Sequence, residues 1–291
     1  MSAMAAAIRP MTQRDVAPAA EALLRGQWGD RRAFFDFAVR HPECEPMVAE
    51  VGRTIAGTVV ATRHGFTGWI GLVFVSEDQR RAGLGSALTK AALERLEQAA
   101  CRTISLVATD MGRPIYERLG FEVVGRYIGL TRPGAPTDGD DDGATARAFH
   151  LRDLDAVCRL DAWATGEDRS HLLQAIALEG AGIVVDAASG SRRLRGGGPR
   201  IRGFSLPSGW GGWPTIATTP GDALLLLEGI RRTRGTDRAL HNAVLEQNVP
   251  GRRLLLDAGW QETWRGVRMI RGEPLDWHPD AIYGQFNFGL G

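Results

Sequence analysis

Val73-Phe74-Val75-Ser76-Glu77-Asp78-Gln79-Arg80-Arg81-Ala82-Gly83-Leu84-Gly85-Ser86-Ala87-Leu88 reads as the junction between a strand and a helix. Ahead of it, Trp69 to Val75 is a nearly continuous apolar run, the pattern of a strand buried on both faces. Behind it, Leu84 to Gln98 sets Leu84, Leu88, Ala91, Ala92 and Leu96 along one helical stripe. Strand, glycine turn and helix N-terminus together make an anion site. Successive N–H groups lack a preceding turn to pair with, and the helix dipole adds its positive end. Gly83 and Gly85 let the backbone approach a phosphate where a β-carbon would intrude. Ser86 can add a hydroxyl, and Arg80 or Arg81 a compensating charge.

Two common phosphate loops are excluded. A Walker-type loop needs a lysine after its last glycine, and Lys90 is the only lysine in the chain. A dinucleotide fingerprint needs a third glycine, whereas Gly83-Leu84-Gly85 is followed by Ser86-Ala87-Leu88.

Outward from this junction the first half alternates helices and strands. Helical spacing covers Arg14 to Arg25 and Arg31 to Arg40; Pro46 to Val51 and Ile55 to Arg63 form a hairpin around Gly52-Arg53. Thr103 to Ala108 is a further strand, Pro114 to Leu119 a short helix and Phe121 to Leu130 a closing strand. The Gly, Pro and Asp-rich stretch 133–144 is read as a linker. It predicts domains over 1–132 and 145–291.

The second half repeats the order. Helices are predicted at Asp153 to Trp163, Leu172 to Glu179 and Ala223 to Arg231, and strands at Gly182 to Asp186, Ile201 to Leu206 and Ala239 to Gln247. Thr109-x-x-Gly112-x-x-Ile115-Tyr116-x-x-x-Gly120-Phe121 aligns without a gap on Asn248-x-x-Gly251-x-x-Leu254-Leu255-x-x-x-Gly259-Trp260. Arg126 then falls on Arg265, and Arg132 on Arg271.

Arg-x-x-Gly-x-Gly after a strand, with Tyr-x-x-x-Gly-Phe downstream, resembles the GNAT superfamily of N-acetyltransferases over roughly Gly68 to Arg132. The resemblance implies an α/β (α+β) fold of two tandem GNAT-like domains, each a mixed, mostly antiparallel sheet flanked by helices. It also implies that the backbone from Arg81 through Ala82, Gly83, Leu84 and Gly85 to Ser86 cradles the pyrophosphate of acetyl-coenzyme A. Val73, Phe74 and Val75 would pair with the pantetheine arm, and Tyr116 would serve the departing sulfur as an acid.

The chain departs from the pattern in two places. Thr109 stands where an asparagine is frequent, and Trp69–Val75 lacks the carboxylate that many relatives use as a general base. An alkylammonium is only about one part in 2,500 neutral at pH 7, so a base or a water relay is needed. Asp110, His64, Glu77 and Asp78 are the available groups. In the second half Ile216-Ala217-Thr218-Thr219-Pro220-Gly221-Asp222 replaces the loop, and Leu255 replaces Tyr116. That half is expected to bind no coenzyme A. Its Arg192-Arg193-Leu194-Arg195 run is read as a solvated loop.

A net charge of +1 gives no reason to expect nucleic acid as a partner. Cys44, Cys101 and Cys158 form neither a disulfide framework nor a metal-ligand spacing. No metal, a cytoplasmic location away from the membrane and a monomer or homodimer are expected. The expected activity is acyl transfer from acetyl-CoA to the primary amine of a small molecule. A protein or peptide N-acetyltransferase and a non-catalytic acyl-CoA sensor are the alternatives.

Overall fold

A computed structural model of the 291-residue chain describes residues 6–134, 146–178, 182–187, 201–210, 212–285 and 287–291. Most of the linker stretch and the Arg192–Arg195 run lie outside the described residues.

The first half contains β1 (Ala7–Pro10), α1 (Val16–Arg25), α2 (Arg32–Arg40), β2 (Cys44–Val51), β3 (Thr54–His64), β4 (Thr67–Val75), α3 (Leu84–Gln98), β5 (Thr103–Ala108), α4 (Arg113–Arg118) and β6 (Glu122–Arg132). The second contains β7 (Ala146–Ala148), α5 (Leu154–Thr165), α6 (Ser170–Ala177), β8 (Ile183–Asp186), β9 (Ile201–Ser205), β10 (Thr215–Ala217), α7 (Pro220–Arg234), β11 (Leu240–Leu245), α8 (Val249–Asp257), β12 (Gln261–Gly272) and β13 (Ile282–Gly284). The sheets are mixed and mostly antiparallel, with β4–β5 a parallel pair.

Two compact units divide the chain, and their limits differ from 1–132 and 145–291 over most of β6, the end of β12 and residues 287–291. One unit comprises 1–124, 268–274 and 287–291; the other comprises 125–267 and 275–286. In the first unit the strand order is β1-β2-β3-β4-β5, and the Arg268–Gly272 end of β12 lies next to β5. There the N–H of Glu273 donates to Arg102 O at 3.1 Å, and the Thr103 hydroxyl donates to Glu273 O at 2.7 Å. In the second unit β6 pairs antiparallel with β11, from Tyr127↔Leu245 to Arg132↔Leu240. Each unit is therefore completed by a strand from the opposite half of the sequence. A strand's alternation fixes which face it buries but not which neighbour it pairs with.

In the first unit, α3 buries Leu84, Leu88, Ala92, Leu93 and Leu96; the stripe passes through Leu93, and Ala91 is only half-buried. A β-carbon at Gly57 of β3 would lie 2.9 Å from Leu88, and one at Gly68 of β4 would lie 2.8 Å from Leu96. Those two positions bring α3 down onto the sheet. The second unit has its own core, in which Leu226, Leu227 and Ile230 of α7 pack with Val185, Leu240, Val244, Leu255 and Tyr283.

The repeat extends to atomic detail. Thr109 Oγ1 accepts from Gly112 N–H (3.2 Å), and Asn248 Oδ1 accepts from Gly251 N–H (3.0 Å). Gly120 and Gly259 follow their helices at φ +82° and +84°. Near the start of each half of the sequence an arginine is clamped on an aspartate six residues later, Arg9 on Asp15 and Arg147 on Asp153.

Candidate active site

The site begins where β4 and β5 part. They pair in parallel only from Thr67↔Thr103 to Ile70↔Leu106, while β4 continues along β3 as far as Val75↔Gly57. At the parting point Leu72 adopts φ +47°, the register against β3 shifts, and the Thr58 hydroxyl donates to Leu72 O at 2.9 Å. The outer half of β4 is consequently less enclosed than its apolar run predicts: Leu72, Val73 and Val75 are half-buried, and Phe74 is buried. No sequence signal marks Leu72, because a leucine at positive φ is held there by its surroundings rather than by preference.

Beyond β4, a single turn at Glu77–Gln79 leads into Arg80, whose Nε donates to Val75 O at 3.2 Å. Arg81 at φ +65° and Gly83 at φ +82° then curl the chain into α3. After Arg80, the next of these N–H groups to find a backbone acceptor is that of Ala87, on Gly83 O at 3.0 Å. Among the described residues, the N–H groups from Arg81 to Ser86 thus have no backbone acceptor, and no side chain caps α3. Among the described residues, nothing lies within 4 Å of a β-carbon built at Gly83. Backbone N–H groups without backbone acceptors at the positive end of a 15-residue helix are the arrangement that can hold an anion.

Ile115, the residue before Tyr116 in α4, lies close to that turn. A β-carbon at Gly85 would be 3.6 Å from Ile115 and 3.7 Å from Val75, so the loop, the free edge of β4 and α4 meet at one place. The Tyr116 ring is buried edge-on against Phe121, and its hydroxyl lies 3.6 Å from a β-carbon built at Gly112. Burial pushes the phenol up to about 12.

The four groups considered as bases are placed differently. Asp110 is exposed. His64 is buried, with Nε2 2.7 Å from Leu290 O; a carbonyl only accepts, so this nitrogen carries the proton. Glu77 and Asp78 line a cavity of about 430 Å³ together with Arg25, Gly26, Gln27 and Phe74. Hydrogen bonds from Gln79 and Ser76 hold the Asp78 carboxyl below the usual carboxylate range. The sequence reading missed the α1–α2 corner in this cavity. Gly26, Gln27 at φ +63° and Gly29 at φ +76° were its only turn signal.

Residues 13–121 match the acetyltransferase (GNAT) family. The chain carries a GNAT acetyltransferase domain. Over 105 residues it is 31% identical to the uncharacterized N-acetyltransferase YitH of Bacillus subtilis (strain 168), which is 36% of each protein. The match thus spans about a third of that relative's length. In fold the whole chain is similar to a candidate acetyltransferase from Pyrococcus horikoshii (TM-score 0.82, 19% identity, covering 100% of this chain and 97% of that one). It is also similar to a tandem GNAT protein from the clavulanic acid biosynthesis pathway (TM-score 0.62, 16% identity, covering 94% and 100%).

In the second GNAT-like unit the counterpart of the phosphate turn is closed by its own side chains. Thr219 caps α7, its Oγ1 accepting from Asp222 N–H at 3.2 Å and donating to Asp222 Oδ2 at 2.8 Å. Asp222 is buried and paired with Arg202 at 3.0 Å, so a carboxylate sits where the first unit presents open N–H groups. His278 of that unit stacks on Trp163 at 4.1 Å, and its Nδ1 lies 2.9 Å from Trp163 O. Among the described residues, no group of three or more His, Cys, Asp or Glu is placed to hold a metal ion. No described helix is long and apolar enough to cross a membrane.

Proposed function

We propose that the protein transfers an acetyl group from acetyl-CoA to the primary amine of a small molecule, by direct attack in the first unit. The single observation that carries this reading is the convergence of the N–H turn Arg81–Ser86, the edge of β4 beyond its pairing with β5, and Ile115 of α4 around Val75 and Gly85. The turn would hold the pyrophosphate. From there the pantetheine arm would run back along Val75, Phe74 and Val73, hydrogen-bonding as the missing strand. Gly71 to Val75 spans about 13 Å at the usual rise per residue. The arm would stop where the β4–β5 ladder closes at Ile70↔Leu106, with the thioester beside Gly71 and Leu72.

The neutral amine nitrogen forms its bond to the thioester carbonyl carbon and gives up one N–H proton to water, the carbon–sulfur bond breaks, and coenzyme A leaves as a thiolate. A thiol ionises near 8.5, well below a phenol raised to about 12, so Tyr116 stabilises the thiolate by donating a hydrogen bond and keeps its own proton. The acceptor would enter through the cavity at Gly26, Gln27 and Phe74, whose lining carries Arg25 and Arg80 as well as Glu77 and Asp78, and Glu77 or a water takes the proton of its ammonium form. Reaction of acetyl-CoA with a panel of small amines, followed by release of free thiol, tests the reading. It predicts amine-dependent thiol release that Gly83→Asp abolishes; amine acetylation that survives in Gly83→Asp would refute it.

A further inference from the structure

The face of β4 beside the predicted thioester position is already covered by main chain of the same unit. Segment Asn287–Gly291 folds into one tight turn, with Asn287 Oδ1 accepting from the N–H groups of Gly289 (2.9 Å) and Leu290 (3.0 Å). Two side chains grip it. Trp69 Nε1 donates to Phe288 O at 3.3 Å, and His64 Nε2 donates to Leu290 O at 2.7 Å. Gly289 lies directly on Gly71: a β-carbon at Gly71 would overlap its backbone, and one at Gly289 would be 2.8 Å from the Phe34 ring of α2. Gly289, Leu290 and Gly291 are buried.

The segment is thus held the way a bound peptide is held, by donors to its carbonyls and by two glycines that permit backbone contact. It covers the face of β4 and leaves the Leu72–Val75 edge to the cofactor arm.

We propose that Asn287–Gly291 is a built-in occupant of a peptide-binding groove and determines acceptor specificity. It takes the place that the main chain of a polypeptide acceptor would need and leaves the α1–α2 cavity as the entrance for small amines. The specificity role rests on the acetyl-transfer reading; the groove does not.

The experiment removes 287–291 and titrates the synthetic pentapeptide Asn-Phe-Gly-Leu-Gly into the shortened and full-length proteins without cofactor. The expected result is binding of one peptide per shortened chain and none to the full-length protein. Adding Gly71→Ala to the shortened chain should abolish that binding. Acetylation of a peptide N-terminus should rise about tenfold or more relative to a small amine. A folded shortened protein that does not bind the pentapeptide overturns the groove. Peptide binding with unchanged acceptor preference overturns the specificity role. Should the deletion unfold the protein, Gly71→Ala in the full chain decides the matter. It should expel the segment, seen as faster hydrogen exchange at Leu290 and Gly291; unchanged exchange contradicts the proposal. A full-length protein that binds no acetyl-CoA defeats the transfer reading, while the pentapeptide titration still decides the groove.

Discussion

Tyr116 and Phe121 meet edge to face, with ring centroids 6.1 Å apart and planes at 71°, and the Phe121 N–H closes the turn on Tyr116 O at 3.1 Å. The same closure recurs in the second unit between Trp260 and Leu255 at 3.0 Å, with an aliphatic side chain in place of the phenol. One scaffold is therefore kept twice, and only one copy carries the hydroxyl. Tyr116→Phe should leave acetyl-CoA affinity within a few fold and lower the amine acetylation rate by about ten- to a hundredfold, the range for one donor at a charged leaving group. Steady-state rates with isothermal binding on the same variant check this.

The pH profile follows from the same hydroxyl. With its phenol raised to about 12, Tyr116 stays protonated through neutral and moderately basic pH. Between pH 6 and 9 the rate with an alkylamine should rise as the free amine grows, with no descending limb from the phenol. A fall in rate with an apparent pKa below about 10 would contradict Tyr116 as the donor.

Acid stability should depend on the paired clamps. Arg9 holds Asp15 below the usual carboxylate range through paired hydrogen bonds at 2.8 Å, and Arg147 does the same to Asp153. A depressed folded value means that the stabilisation is fully present above the unfolded value near 3.9 and is lost as pH falls through the folded one. Both arginines are partly exposed, so each clamp contributes about 1 kcal/mol or less. Thermal melts should show the wild type losing stability below about pH 4. Asp15→Asn with Asp153→Asn should start lower at pH 7 and fall less steeply.

The second unit contains a fully enclosed ion pair, with Arg169 Nη2 and Nε at 2.6 and 3.0 Å from the two Asp161 oxygens. Removing Asp161 takes from Arg169 its two-point carboxylate partner in a site closed to solvent, with buried Glu167 as a further negative charge acting on it. Asp161→Ala should cost about 3–5 kcal/mol in a urea titration, far more than loss of either partly exposed clamp.

Much of the fold was legible because it is local. The bounds of α3 and β5 follow from their apolar spacing, and the turn at Gly83 follows from its glycines and neighbouring arginines. The shared Thr109/Asn248 and Gly120/Gly259 positions revealed the repeat. The Arg9–Asp15 and Arg147–Asp153 clamps extend it, although their common six-residue spacing went unread. What stayed hidden depends on distant contacts. β6 and β12 carry similar strand patterns, and nothing in either specifies β11 or β5 as its neighbour. The strain at Leu72 and the docking of Asn287–Gly291 on His64, Trp69 and Gly71 arise only once the chain has folded. The aromatic residues of that last segment signalled packing but not its target.

The central claim is that one coenzyme A site exists, in the turn Arg81–Ser86. Calorimetric titration of acetyl-CoA into the wild type, Gly83→Ala and Gly83→Asp tests it most directly. Both variants share the cost of a side chain at φ +82°, and only Gly83→Asp adds a negative charge to the nest. The account predicts one acetyl-CoA bound per wild-type chain, weakened binding in Gly83→Ala and none in Gly83→Asp. Equal affinity in all three proteins, or two molecules bound per chain, would contradict it.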